Sequence, residues 1–152
     1  MMKLYTLTAL ILLFFVCCTK KDDMKYSVGQ EWNYKTRPTE ENSTLTILKI
    51  EEYPKHGKVI HISVDELKMK NPQHPDGIAD RISHLPLSEA ALDNSVTSLK
   101  NETRRKPDST EMDGYSYWKK EFDKGKAGVF SIPVSEIVSV MEESIVSGDY
   151  TE

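Results

Sequence analysis

Between Glu31 and Asp65 the apolar residues tend to recur at every second position, whereas beyond Ser88 they recur at every third or fourth. One regular element cannot satisfy both periods, so the chain must build strands first and helices afterwards. Trp32 and Tyr34 alternate with Glu31, Asn33 and Lys35, and Pro38 to Ser43 has turn composition. Thr44 to Glu51 (TLTILKIE) is rich in β-branched and apolar residues. That pattern predicts a hairpin. Pro54 to Gly57 interrupts the chain again before Lys58 to Asp65 (KVIHISVD), where Ile60, Ile62 and Val64 share one face of a third antiparallel strand. Beyond the loop NPQHPDG, Ile78 to Leu87 predicts a fourth strand, with Pro86 marking its end or a sheet edge.

In the second half Ser88 is a good N-cap, and Leu92, Val96 and Leu99 are spaced for a helix running to about Lys100. A charged loop, Asn101 to Met112, should follow. Asp113 is then expected to cap a helix with the apolar stripe Tyr115, Trp118 and Phe122, ended by Gly125. Gly128 to Ile132 reads as a short buried strand. Pro133 suits the first turn of a last helix whose inner face is Val134, Ile137, Val138, Met141 and Ile145. The order predicts an α+β fold: an antiparallel β-meander of about four strands followed by helices packed on one face, with one further short strand. The opposite face should be partly wet.

The chain has only two cysteines, Cys17 and Cys18, and both stand at the end of an apolar run that begins at Leu4 behind Lys3. As a helix, Leu4 to Cys18 would extend roughly 22 Å, against about 30 Å for a hydrocarbon core, so a targeting segment is the stronger reading than a span. No small-x-small cleavage site precedes Cys17. The run LLFFVCC followed by TKKDD resembles the lipobox of bacterial lipoproteins, in which a cysteine thiol receives diacylglycerol and the chain is cut before it. Cys17 before Cys18 fits the small residue that precedes the modified cysteine better than Val16 before Cys17, so the resemblance implies lipidation at Cys18. Two or three acyl chains, palmitate among them, hold a protein stably on a membrane. The implied layout is a signal peptide over residues 1–17, a lipidated polar tether over 18–25 and a single α+β domain over 26–152. The resemblance places the chain in the bacterial cell envelope, at the outer membrane, facing either the periplasm or the surface. Cleavage before Cys18 would also leave no second cysteine for a disulfide or a thiol-based site.

The stretch VGQEWNYKTRP, with ENSTLTILKIE and HISVDELK after it, resembles an uncharacterised bacterial family, from which no functional residue carries over.

Local spacing argues against chemistry. His61, Ser63 and Asp65 alternate on one strand, but same-face neighbours there lie nearly 7 Å apart, too far for a nucleophile and its base; a polar outer face is the expectation. Ser116 and Lys119 match S-x-x-K without its companion motifs, and read as exposed helix residues. His74, Asp76, Asp80 and His84 have no diagnostic metal-ligand spacing, and Pro72, Pro75 and Gly77 explain their loop as turns. Arg104, Arg105 and Lys106 read as a solvated loop. The formal net charge of −4, more negative still once Lys3 is lost, argues against nucleic acid.

No catalytic residue, metal or cofactor is assigned. The leading expectation is a non-enzymatic binding module anchored in the membrane by its N-terminal lipid, of an inhibitor, immunity or accessory type. It would meet an envelope protein partner through exposed residues such as Tyr117, which falls off the Tyr115–Trp118–Phe122 stripe. Two alternatives stand beside it: a small envelope hydrolase using His61 or His84 with carboxylates brought near by the fold, and a binder of small ligands.

Overall fold

The computed structural model describes residues 25–102 and 105–148. The first hairpin forms as the alternation requires, from β1 (Glu31–Tyr34) and β2 (Thr44–Tyr53), with Trp32 opposite Leu45. β3 (Gly57–Asp65) pairs along the whole of β2. A two-stranded insert, β4 (Met69–Lys70) with β5 (Ile78–Ala79), precedes β6 (Ile82–Ser88). The expected fourth strand is thus divided at Asp80 and Arg81, and Pro86 lies in an edge strand, where its missing N–H costs least. Then come α1 (Glu89–Ser95), β7 (Val96–Asn101), α2 (Ser109–Asp123) and α3 (Val134–Ser147). The main sheet is antiparallel in the order β6-β3-β2-β1-β7, so the molecule is α+β as the change of period implies.

Three expected elements are corrected. The helix after Ser88 is capped as expected, by a bond from the Ala91 N–H to the Ser88 hydroxyl, but it stops at Ser95. Val96 to Asn101 is a strand instead, laid along β1 with Leu99 opposite Trp32. β1 would otherwise end the sheet with open backbone groups, and pairing outweighs the weak helical preference of Val96 and Thr97. Second, α2 begins earlier than Asp113. Asp108 is its N-cap, and with Glu111 it forms a reciprocal capping box. Third, Gly128 to Ile132 is no buried strand. Phe130 makes one isolated parallel bridge to Leu87, and Phe130 and Ile132 are exposed.

The apolar core lies on one face of the sheet. Leu45, Ile47, Ile60, Ile62, Val64, Leu85 and Leu87 are buried there against α1 and the inner face of α3. Val134, Ile137 and Val138 of α3 are fully buried as expected, each stabilising by about 1.5–3 kcal/mol, while Met141 and Ile145 pack partly against the same cluster. Pro133 offers α3 no side-chain cap; the buried Ser95 hydroxyl accepts from the Val134 N–H at 3.0 Å and so joins the end of α1 to the start of α3. The expectation of helices on one face holds for α1 and α3. α2 lies across the other face, against β6, where a partly wet surface was expected.

Candidate functional site

The face beneath α2 is polar because of a bulge. Ile47 pairs with Ile62 and Lys49 with His61, so Leu48 is the extra residue in β2. It resets the alternation: Ile50 returns to the apolar core, and Lys49 and Glu51 join His61 on the opposite side. A second irregularity, at Ser83 and His84 in β6, leaves His84 beside His61.

α2 covers this layer with residues at positions 111, 115, 118 and 122, one face of a helix. Trp118 stands edge-on to His61 at 4.7 Å between ring centroids and stacks on Phe122 at 4.6 Å; Tyr115 stands edge-on to His61 at 5.0 Å. The approach is close because Gly114 has no side chain: a Cβ there would lie 2.8 Å from the Cβ of His84.

Two polar networks run through the layer. In the first, Lys49 Nζ donates to the Tyr115 hydroxyl at 2.6 Å, and Tyr115 and Tyr53 both donate to the Glu51 carboxylate. Burial pushes the Glu51 carboxyl up, but the bonds from Lys49, Tyr115 and Tyr53 outweigh it and hold the group below its usual value. Glu51 Oε2 lies 3.2 Å from His61 Nε2 without forming a hydrogen bond, and among the described residues this buried nitrogen has no hydrogen-bond partner. His61 Nδ1 is 2.9 Å from His84 Nε2. Burial lowers the His61 pKa to about 4 despite the opposing pull of Glu51; burial, then the neighbouring His61, lowers that of His84 to about 4. Both imidazoles are therefore neutral at pH 7, and the contact with Glu51 is not a true ion pair.

The second network centres on Glu111, which has no accessible surface. Arg105 binds it in fork fashion at 2.6 and 2.8 Å, Arg81 donates at 2.6 Å, and the Asp108 N–H at 2.8 Å. Burial raises the carboxyl, but Arg105 and the other donors bring its pKa to about 2. Arg105 also reaches Ser63 Oγ at 3.3 Å, and Arg81 Nε lies 3.0 Å from Asp65.

These positions revise the local readings. His61 and Ser63 are buried under α2 rather than on an outer face. Arg105 is drawn onto Glu111 rather than solvated; Arg104 lies outside the described residues, as do Cys17 and Cys18. Ser116 donates to its own helix at Met112 O and Lys119 pairs with Asp123, so the S-x-x-K residues do not meet each other. His74 closes a backbone turn with Asn71 and Gly77, and among the described residues no group of three His, Cys, Asp or Glu side chains is placed to hold a metal.

Beside His84 the edge of β6 opens into a groove of about 520 Å³, walled by Leu85, Pro86, Trp118 and Phe130 with Tyr117 at its rim. Trp118 Nε1 donates to Gly128 O at 2.8 Å, and Phe130 exchanges backbone bonds of 2.9 Å with Pro86 and Ser88; together they hold the far wall. Tyr117 is 72% exposed and Phe130 38%. The lining is mostly apolar, with His84 and Glu121 among its few ionisable groups.

Of the residues singled out from the sequence, the fold brings His84, Tyr117 and Trp118 to this groove, with His61 buried behind His84. Glu51, Glu111 and Phe130 were missed. The D-x-x-E spacing of Asp108 and Glu111 could have located the cap, but nothing local aligns Glu51 with His61. In comparisons with protein-family models, curated proteins and solved structures, the chain matches none of them.

Proposed function

We propose that this chain is a non-enzymatic binding module of the bacterial envelope, lipidated at Cys18 and tethered to the membrane by residues 18–25, and that the groove beside β6 receives an apolar group of an envelope protein partner. The observation that carries this reading is a well-walled apolar groove of ligand size with exposed Tyr117 and Phe130 at its margin. Aromatic anchors around a desolvated pocket are where binding energy concentrates, and truncating one costs about 2 kcal/mol or more at a hot spot. The test is to purify the full chain with its anchor, identify retained envelope proteins, and measure affinity for the most enriched. Tyr117→Ala and Phe130→Ala should each weaken binding at least about tenfold with the fold unchanged. Equal affinities for both variants and the parent would overturn the assignment of the groove.

A small envelope hydrolase is the second reading, favoured by the succession of Glu51, His61 and His84 leading to the groove wall. A general base needs a substrate proton within hydrogen-bond reach, and His84 alone of the two histidines lines the groove. Turnover of an ester, phosphoester, peptidoglycan or peptide substrate that is lost in His84→Asn would establish it.

A further inference from the structure

The His84–His61 contact determines which hydrogen-bonding group the groove presents to a ligand. One of the nitrogens His61 Nδ1 and His84 Nε2, 2.9 Å apart, must donate and the other accept. If His61 donated from Nδ1, its Nε2, which has no accessible surface, would carry a bare lone pair 3.2 Å from the half-buried Glu51 carboxylate. Two electron-rich groups facing each other at that distance, with the imidazole side dry, are unfavourable. With the proton on Nε2 the partial positive charge of the N–H lies near Glu51, which is favourable even without a hydrogen bond. His61 Nδ1 then accepts from His84 Nε2–H, and the remaining nitrogen of His84, Nδ1, is left with a lone pair. Among the described residues that nitrogen has no hydrogen-bond partner, and His84 lines the groove.

We infer that the groove selects an uncharged, largely apolar group, the size of an aromatic ring or somewhat larger, that bears one N–H or O–H donor aimed at His84 Nδ1. The inference rests on the groove being the binding site. Glu51, held ionised by Lys49, Tyr115 and Tyr53, acts as a positioning residue that imposes the tautomer through His61 and never touches the ligand. With exposed Tyr117 and Phe130 at its margin, as at a contact between proteins, the groove's occupant is an aromatic side chain of a partner polypeptide; a free small molecule is the alternative that the experiment must exclude.

The experiment uses isomeric probes, 3-methylindole and 1-methylindole, which share size and apolarity but of which only the first has an N–H. Titration of the full chain, followed by nuclear magnetic resonance at Tyr117 and Trp118, should show the first binding roughly five- to tenfold more tightly, the value of one hydrogen bond. N-acetyltryptophanamide and its 1-methyl analogue, which keep the same backbone amides and differ in the ring N–H, form the second arm; tighter binding of the ring N–H member in this arm supports a polypeptide side chain, and a preference confined to the methylindoles would overturn that source. Equal binding of the two members of each pair, in both arms, would overturn the acceptor at His84 and leave the groove standing; no binding by any probe would overturn both. His84→Phe should bind the isomers equally. Nitrogen-15 spectra of the unliganded protein provide a test independent of any variant: His84 must show a protonated Nε2 and bare Nδ1, and the reverse tautomer would sink the inference. Glu51→Gln should weaken that tautomer preference while Tyr115 and Tyr53 retain their acceptor.

Discussion

Glu111 is a charge without accessible surface, and its carboxylate is tolerated only because two arginines and a backbone N–H converge on it. Glu111→Ala would strand Arg81 and Arg105 against Asp108 and Ser63 and remove half of the capping box. The expected loss is about 3–5 kcal/mol, measured by urea unfolding, with Glu111→Gln losing less because it keeps the shape and can still accept. The histidine pair has its own signature in pH. Both folded-state pKa values are depressed, from 6.5 to about 4, so the unfolded chain binds more protons in that interval. Their stabilisation is fully present above about pH 6.5 and is lost as pH falls toward 4. Carboxylates such as Glu51 and Glu111, with lowered pKa values, add their own loss only below about 4.5. The unfolding temperature should therefore fall as the pH is lowered from about 6.5 to about 5, above the range in which Glu51 and Glu111 contribute; the Asp65 carboxyl, pushed up by burial, works in the opposite direction and blunts the fall. A flat melting temperature over that interval would show that the imidazoles are not held neutral by burial.

At the scale of elements, the packing of α2 on β6 depends on Gly114. Glycine to alanine inside a helix ordinarily stabilises by about 1 kcal/mol. Here the added methyl would meet His84 Cβ at 2.8 Å, so Gly114→Ala must displace α2 or the strand. We expect a net destabilisation of about 1–3 kcal/mol, with the groove distorted because Trp118 moves with the helix. Denaturant unfolding gives the sign, and a stabilised variant would show that α2 slides freely on the sheet. β7 teaches the complementary lesson. Leu92, Val96 and Leu99 do have helical spacing, but the open edge of β1 lies within reach of Val96 to Asn101 and captures it as a strand.

For the whole molecule, every strand and helix of the described structure lies after residue 30, and Tyr26 is buried against Trp32 and bonded to Asp93. A chain starting at Lys25 should fold by itself, giving a mixed α and β circular dichroism spectrum and a cooperative transition. The full chain should differ from it only in its address. Cys18→Ala is expected to release the protein from the detergent phase or leave an unprocessed precursor, and mass spectrometry of an unacylated mature chain would refute lipidation.

The sequence by itself determined the α+β class, the first three strands, the caps at Ser88 and Gly125 and the inner face of α3, since each depends on period or backbone preference within a few residues. It also marked Tyr117 as exposed and Trp118 as core. Even the Leu48 bulge left a trace, because Leu45, Ile47 and Ile50 break strict alternation. What the tertiary structure alone decided is which polar residues meet. His61 and His84 are separated by the β4–β5 insert, and Glu51 reaches them only across the β2–β3 ladder. α2 buries a face that would read as solvent-facing because Gly114, Tyr115 and Trp118 fit over it and Arg105 neutralises Glu111. Those are contacts between elements distant along the chain, and no local pattern of apolarity or charge encodes their geometry.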